Sequence, residues 1–330
     1  MCRSRARGSV LLLVVWAIAL LGILAAGLGS RVGFALSLTE RLDQQLQARS
    51  AALGAVHVAI QALKNDPSQQ YDTQHERWMD NAEVFSEWKL GNVSASVQPP
   101  QSDSTGRQVY GLVDEERHLS LNTAPGDALR RLFQFEGGLK PLEAQAIADA
   151  IEDWRDADNE KRLDGAENFE YLDLDPPYEC KNRPFEMLEE LQLIRGMTPD
   201  MYKRVAPYLT VYGSGKLNIN TAPAPVLRAL GLSELGIKGL IAYRAGEDDF
   251  EGTSDDRPIT SLNAITTELG SYVPAEDLTR LAKLTSEKLL SVGSKTAHGI
   301  VTAKVQDGRY PVIIECIVTR EGQIQFWAER

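Results

Sequence analysis

Residues 9–30 read SVLLLVVWAIALLGILAAGLGS and residues 36–66 read LSLTERLDQQLQARSAALGAVHVAIQALKND; together they decide how the rest of the chain is arranged. The first run is 22 residues without a charge, which at about 1.5 Å each spans the ~30 Å hydrocarbon core of a bilayer. The second meets no proline before Pro67, and Leu42, Leu46, Leu53, Val56, Ile60 and Leu63 recur at the three-and-four spacing of one helix face. The spacing predicts one helix over residues 9–64, greasy in its first third and amphipathic beyond, with Asn65, Asp66 and Pro67 as its stop. Its apolar face requires a partner.

Ahead of this helix, MCRSRARG carries Arg3, Arg5 and Arg7, which keep the N-terminus in the cytoplasm and send the bulk of the chain across the membrane. Four readings fit such a start: a secretory signal peptide cut near Ala26, an ordinary single-span anchor, a leader cut on the cytoplasmic side between Gly8 and Ser9, and a buried core helix. The amphipathic continuation favours the third, because a signal peptide has no reason to run in frame into more helix. The uncharged length argues against the fourth.

The chain has 330 residues, 43% hydrophobic and 25% charged, enough for one or two cores beyond the span. Its net charge is -11, or -14 without the three leader arginines (32 basic against 46 acidic), a surface that repels phosphate backbones and attracts divalent cations. Loss of Cys2 with the leader leaves Cys180 and Cys316, either a disulfide or two buried thiols. His57, His75, His118 and His298 are scattered, and Glu189/Glu190 and Asp255/Asp256 are neighbours that a helix would point about 100° apart, so no catalytic site is expected.

After the helix, residues 66–92 read as polar connection anchored by Trp78, Phe85 and Trp88. NVSASV (92–97) and QVYGLV (108–113) alternate as paired strands around the loop PPQSDSTG, and residues 299–305, 310–320 and 323–328 read as strands joined by QDG and REG turns. The fold class is α+β: a long helix on a small antiparallel sheet, with a large all-α insertion. The expected segments are 1–8 leader, 9–30 span, 31–65 amphipathic helix, 66–118 first part of the sheet domain, 119–287 insertion, and 288–330 closing strands.

The insertion contains a repeat. HLSLNTAPGDALRRL (118–132) returns as KLNINTAPAPVLRAL (216–230), and each copy reads as a helix start, with Asn122 or Thr123, and Asn220 or Thr221, as caps ahead of Pro125 and Pro223. Weaker echoes follow: AIADAIEDWRDAD (146–158) with KGLIAYRAGEDDF (238–250), and the segments opening at Arg183 and Arg257. Two related bundles of short helices are expected. At the end of a predicted helix, Asp153, Asp156, Asp158, Asp164 and Glu167, with Asn159 and Gly165, supply hard oxygen donors in a loop. Their spacing is not that of an EF-hand, and composition alone fits a solvated acidic loop as well as a metal site.

The basic leader ending in Gly8, the retained apolar helix, the paired NTAP segments, the stretch DWRDADNEKRLDGAENFEYLDLDPPYECKNRPFEMLEELQLIRGM and the late strands together resemble general secretion pathway protein K. This is the large minor pseudopilin of the type II secretion system, and the likeness covers essentially the whole chain. It implies a pilin-like fold interrupted by a helical domain, and cleavage between Gly8 and Ser9 with N-methylation by the prepilin peptidase. It further implies a non-catalytic role beside other minor pseudopilins and the major pseudopilin, anchored in the inner membrane with the bulk in the periplasm. Calcium-binding members of the family imply calcium in the acidic loop.

Two departures stand out: Ser9, where pilin-like proteins most often carry Phe or Met, and Leu13, where the fifth residue after the cut is usually a glutamate facing a neighbour's ammonium. A subunit with no neighbour above it loses nothing by that change, and an insertion of this bulk fits only at the end of a filament; both point to the tip. The helix face from Leu42 to Leu63 would then pack partly on its own sheet and partly on companion helices. Read in isolation, LNINTA also resembles helix-hairpin-helix DNA-binding modules of competence proteins. The hairpin slot here reads ALGLSELGIKG in an acidic surround, which suits phosphate poorly, so no nucleic-acid partner is expected.

Overall fold

The computed structural model describes residues 6–100, 107–306, 308 and 310–330, with side chains from Val10 onward. Leader residues 1–5, residues 101–106 of the PPQSDSTG loop, Asp307 of the QDG turn and Arg309 lie outside the described residues.

Helix α1 (Ala6–Lys64) is continuous over 59 residues, roughly 88 Å. Only its last third packs. Ala48, Ala51, Ala52, Ala55, Val56, Ala59, Ile60 and Leu63 are buried, whereas Leu42 and Leu46 of the expected face stand exposed and Leu53 is half-buried. Methyl side chains let the helix approach a pleated sheet more closely than leucines would, so the seat is an alanine stripe flanking Val56, Ile60 and Leu63 of the expected face. At Gly54 even a methyl is excluded: an added Cβ would lie 2.6 Å from the Trp88 ring.

The sheet below it is antiparallel, in the order β1 (Trp88–Leu90), β2 (Val93–Gln98), β8 (Thr296–Val305), β9 (Val312–Thr319), β10 (Ile324–Glu329). The pairing expected between residues 92–97 and 108–113 does not form. Strand β2 instead runs against β8, from Val93 opposite Val305 to Gln98 opposite Ile300, and only β3 (Val113–Asp114) of the second segment joins β8. Gly111 explains the break: at φ 148° its N–H donates to Val97 O, and a Cβ there would strike the Trp78 and Met79 carbonyls. Trp78 and Phe85, the latter closing α2 (Ala82–Phe85), fill the core between helix and sheet.

A second apolar core runs from Leu119 to Leu290. It is made by α3 (Gly126–Phe135), α4 (Pro141–Arg155), α5 (Asn168–Leu172), α6 (Pro199–Val205), α7 (Ala224–Ala229), α8 (Glu234–Arg244), α9 (Ile265–Glu268) and α10 (Ala275–Ser286). Two short parallel pairs close its ends: β4 (Leu119–Ser120) with β5 (Leu209–Thr210), and β6 (Leu217–Asn218) with β7 (Leu290–Ser291). Cys180 lies in this core and Cys316 in the sheet core, both free, so the pairing left open by the sequence is not made. Burial first, and then the neighbouring Glu167 and Asp153 carboxylates, push the Cys180 thiol up to about 12, and burial with the Glu315 charge does the same for Cys316.

Each NTAP copy opens a helix, but not by capping. Pro125 and Pro223 occupy the N-cap positions without side-chain bonds. The asparagines are used as loop ties. Asn122 donates to Phe185 O and accepts from Phe185 N at 3.0 and 2.7 Å, and Asn220 does the same with Ile259 at 3.0 and 2.9 Å. In parallel, Arg155 donates to the Leu121 and Ala124 carbonyls and Arg244 to those of Ile219 and Ala222.

Candidate functional site

The acidic loop joins α4 to α5. Asp156 ends α4 as its C-cap, Glu167 precedes α5, and one carboxylate oxygen each of Asp156, Asp158 and Glu167 lie within 4.8 Å of one another, a grouping the described residues show only here. Glu167 is 4% exposed, and neither of its oxygens meets hydrogen-bond geometry; its one neighbouring donor is the Cys180 thiol, a weak one. Asp156 Oδ1 and Asn182 Oδ1 are likewise buried and unpartnered. Burial, and next the Asp153 charge, push the Glu167 carboxyl above its ordinary value. Buried lone pairs without donors are costly, and hard oxygens converging in a loop are the donor set calcium takes.

The structure separates the other two predicted ligands from this group. Asp153, fully buried, is consumed as a staple: it pairs with Arg162 Nη1 at 2.7 Å and accepts Ala166 N–H at 2.9 Å. The close approach needs Gly165, whose added Cβ would lie 1.9 Å from the Asp153 carboxylate. Asp164 is exposed, with its N–H donating to Asp149 at 3.4 Å. Asn159 Oδ1 accepts from Asn168 and Asn182, at 2.9 and 3.0 Å, and Asn182 also holds the Asp158 carbonyl. Arg162 and Asn182 were missed by sequence reasoning, which sought acids; Asn182 sits at φ 47°.

A second feature is the bare helix. From Val10 to Leu46 every large apolar side chain of α1 is exposed, and this helix alone among the described residues is long and apolar enough to cross a membrane. Beyond residue 30, Val32, Phe34, Leu36, Leu38, Leu42 and Leu46 continue the apolar surface toward the sheet. Val56, Ile60 and Leu63 of the predicted face are already taken by the chain's own core.

The junction between the two cores is polar and buried. Asp114 accepts from Asn218 Nδ2 at 2.8 Å and Thr221 Oγ1 at 2.5 Å; Glu115 accepts from Thr210 Oγ1 at 2.6 Å; Glu116 accepts from Ser214 N and Oγ at 3.0 and 2.9 Å. Burial opposes the Glu115 carboxylate, but His298, His118 and Thr210 outweigh it and hold its pKa below the ordinary value. Asp66 and Asp72 share Arg320. The Asp114, Glu115 and Glu116 bonds tie the insertion to the sheet body.

The hairpin slot that resembled a DNA-binding module is filled internally. Ser233 N–H and Oγ–H donate to Asp277 at 2.8 and 2.6 Å, and Gly236 N–H donates to Ser233 Oγ at 3.0 Å. A buried carboxylate stands where a phosphate would have to sit.

Among protein families, residues 108–214 match the model of the type II secretion system (T2SS) protein K. The chain is 31% identical over 254 residues to the type II secretion system protein K of Pectobacterium carotovorum subsp. carotovorum, covering 73% of this chain and 76% of that protein. It is 30% identical over 300 residues to the protein of that name from Aeromonas hydrophila, covering 83% and 88%. Among solved structures, it resembles a chain of the GspK–GspI–GspJ complex from the enterotoxigenic Escherichia coli type 2 secretion system. The TM-score is 0.62 at 16% identity, with 88% of this chain and 99% of that one covered.

Proposed function

The chain belongs to the type II secretion system protein K family, and on that premise we propose that it is a minor pseudopilin, a non-catalytic subunit at the periplasmic tip of the pseudopilus. The observation that carries this is the bare length of α1. Residues 10–30 suit a lipid bilayer, and the exposed apolar side chains from Val32 to Leu46 then extend about 21 Å between membrane and sheet, where companion helices can cover them. The GspK neighbour was solved with GspI and GspJ, which supports minor pseudopilins as those partners. The prepilin peptidase would cut between Gly8 and Ser9, and the major pseudopilin would continue the filament below.

The recurring asparagine and arginine ties support reading the insertion as two copies of one helical unit. Only the first copy carries the metal loop. Asp156, Asp158 and Glu167 would hold calcium, which would neutralise their mutual repulsion and order the loop. In the second copy, Asp255 and Asp256 accept loop amides instead, from Glu247, Asp248, Gly252 and Thr253.

The test is Leu42→Asp with Leu46→Asp in the full-length chain, co-expressed with its companion minor pseudopilins. Membrane insertion should persist while co-purification of the companions is lost. Unchanged co-purification would remove this helix face as the contact.

A further inference from the structure

Arg162 stands among the acidic-loop carboxylates as their counter-cation. Its Nη1 lies 2.5 Å from Asp156 Oδ2 and 2.7 Å from Asp153 Oδ1, and its Nε lies 3.1 Å from Glu152 Oε2. Its backbone N–H donates to Asp153 at 3.3 Å, and the same carboxylate takes the amide of Ala166, next to Glu167. The guanidinium is therefore locked at both ends, by three carboxylates on its fork and by its own main chain. Burial opposes the cation, but Asp156 and Asp153 outweigh it and raise its pKa further.

The effect falls on Asp156. One oxygen is held by Arg162, while the other, Oδ1, is buried without a hydrogen-bond partner in the residue that groups with Asp158 and Glu167. As a bare charge, a guanidinium beside an anionic site opposes cation binding, so its removal would tighten the site. As a fork it does the reverse: it spends one oxygen to aim the other, as outer partners of metal ligands do.

We propose that Arg162 is the positioning residue of the loop's cation site, presenting Asp156 Oδ1 to the ion and, through Asp153, setting the chain that carries Glu167. This rests on the calcium reading of the loop. The two views of Arg162 differ in sign, which makes the inference testable.

The full-length protein in detergent is titrated with terbium, whose luminescence Trp154, buried next to Asp153 in α4, can sensitise, and calcium is then used to displace it. Arg162→Gln should weaken calcium about 10–100-fold, and lifetimes in water and deuterated water should show about one more bound water where Asp156 is lost. Arg162→Lys, which restores the charge and a single donor, should recover part of the affinity. In an Asp156→Asn background, Arg162→Gln should weaken binding clearly less than it does in the wild type, because the Asp156 route is already lost and only the Asp153 route remains. Affinity that is unchanged or tighter in Arg162→Gln would overturn the proposal. So would weaker binding with an unchanged water count, which would make Arg162 merely structural. If the wild type binds neither ion, the calcium reading itself fails, and this inference with it.

Discussion

Glu167→Gln changes one charge and almost no volume, and its effect should reverse sign with calcium. In calcium-free protein the native carboxylate is 4% exposed with no hydrogen bond formed on either oxygen; such a group costs about 1–3 kcal/mol, more when ionised. Replacing it by a neutral amide should recover roughly 2 kcal/mol, which at about 2–4 °C per kcal/mol for a body of this size raises Tm by about 4–8 °C. With calcium at about 1,000 times its Kd, the wild type should gain about 4.1 kcal/mol, while the variant, short of one charged ligand, gains little. Melting curves of the full-length protein in detergent, followed by circular dichroism with chelator or calcium, should therefore cross: the variant melts above the wild type in chelator and below it in calcium. A variant melting below the wild type in chelator would refute the unpaired carboxylate. An equal calcium rise in both would refute Glu167 as a ligand.

Because burial raises the Glu167 carboxyl pKa, the folded calcium-free protein holds that proton more tightly than the unfolded chain. Its contribution to stability is therefore present on the acid side and lost as pH rises through the folded pKa. Calcium bound as proposed would take the proton's place, so the calcium-induced rise in Tm should be largest near neutrality and shrink toward pH ~4.5; an equal rise at both would contradict the assignment. Asp114→Ala strands the Asn218 amide, the Thr221 hydroxyl and the Glu116 N–H and should cost at least about 1–3 kcal/mol in urea unfolding, with Asp114→Asn milder; an unchanged midpoint would mean the junction network does not hold the insertion. Gly54→Ala pushes a methyl into the Trp88 ring and should cost about 1–3 kcal/mol with a changed near-ultraviolet signal from Trp88; a neutral effect would show that the helix does not sit this close.

Signals local in the chain were legible. The uncharged run and apolar spacing announce α1, and alternation announces residues 92–97 as a strand, because both depend on neighbours within one turn or one pleat. Partnership was not: β2 finds β8 some two hundred residues away, and nothing in NVSASV says so. The alanine stripe escaped because small residues carry little apolar signal, although closeness of packing depends on them. In the acidic loop, the composition was readable and the division of labour was not. Asp153 and Asp156 look alike in sequence, but the Arg162 and Ala166 amides claim one and leave an oxygen of the other bare. Asp114, Glu115 and Glu116 drew no reading at all, because their donors, Thr210, Ser214, Asn218 and Thr221, lie about a hundred residues later.

The proposed position of the helical insertion, at the end of the filament, can be seen directly. An exposed residue of α10, such as Lys283, changed to cysteine and tagged with a gold particle, locates the insertion on assembled pseudopili by electron microscopy. Label is expected at one end of each filament. Label spaced regularly along the shaft would contradict it.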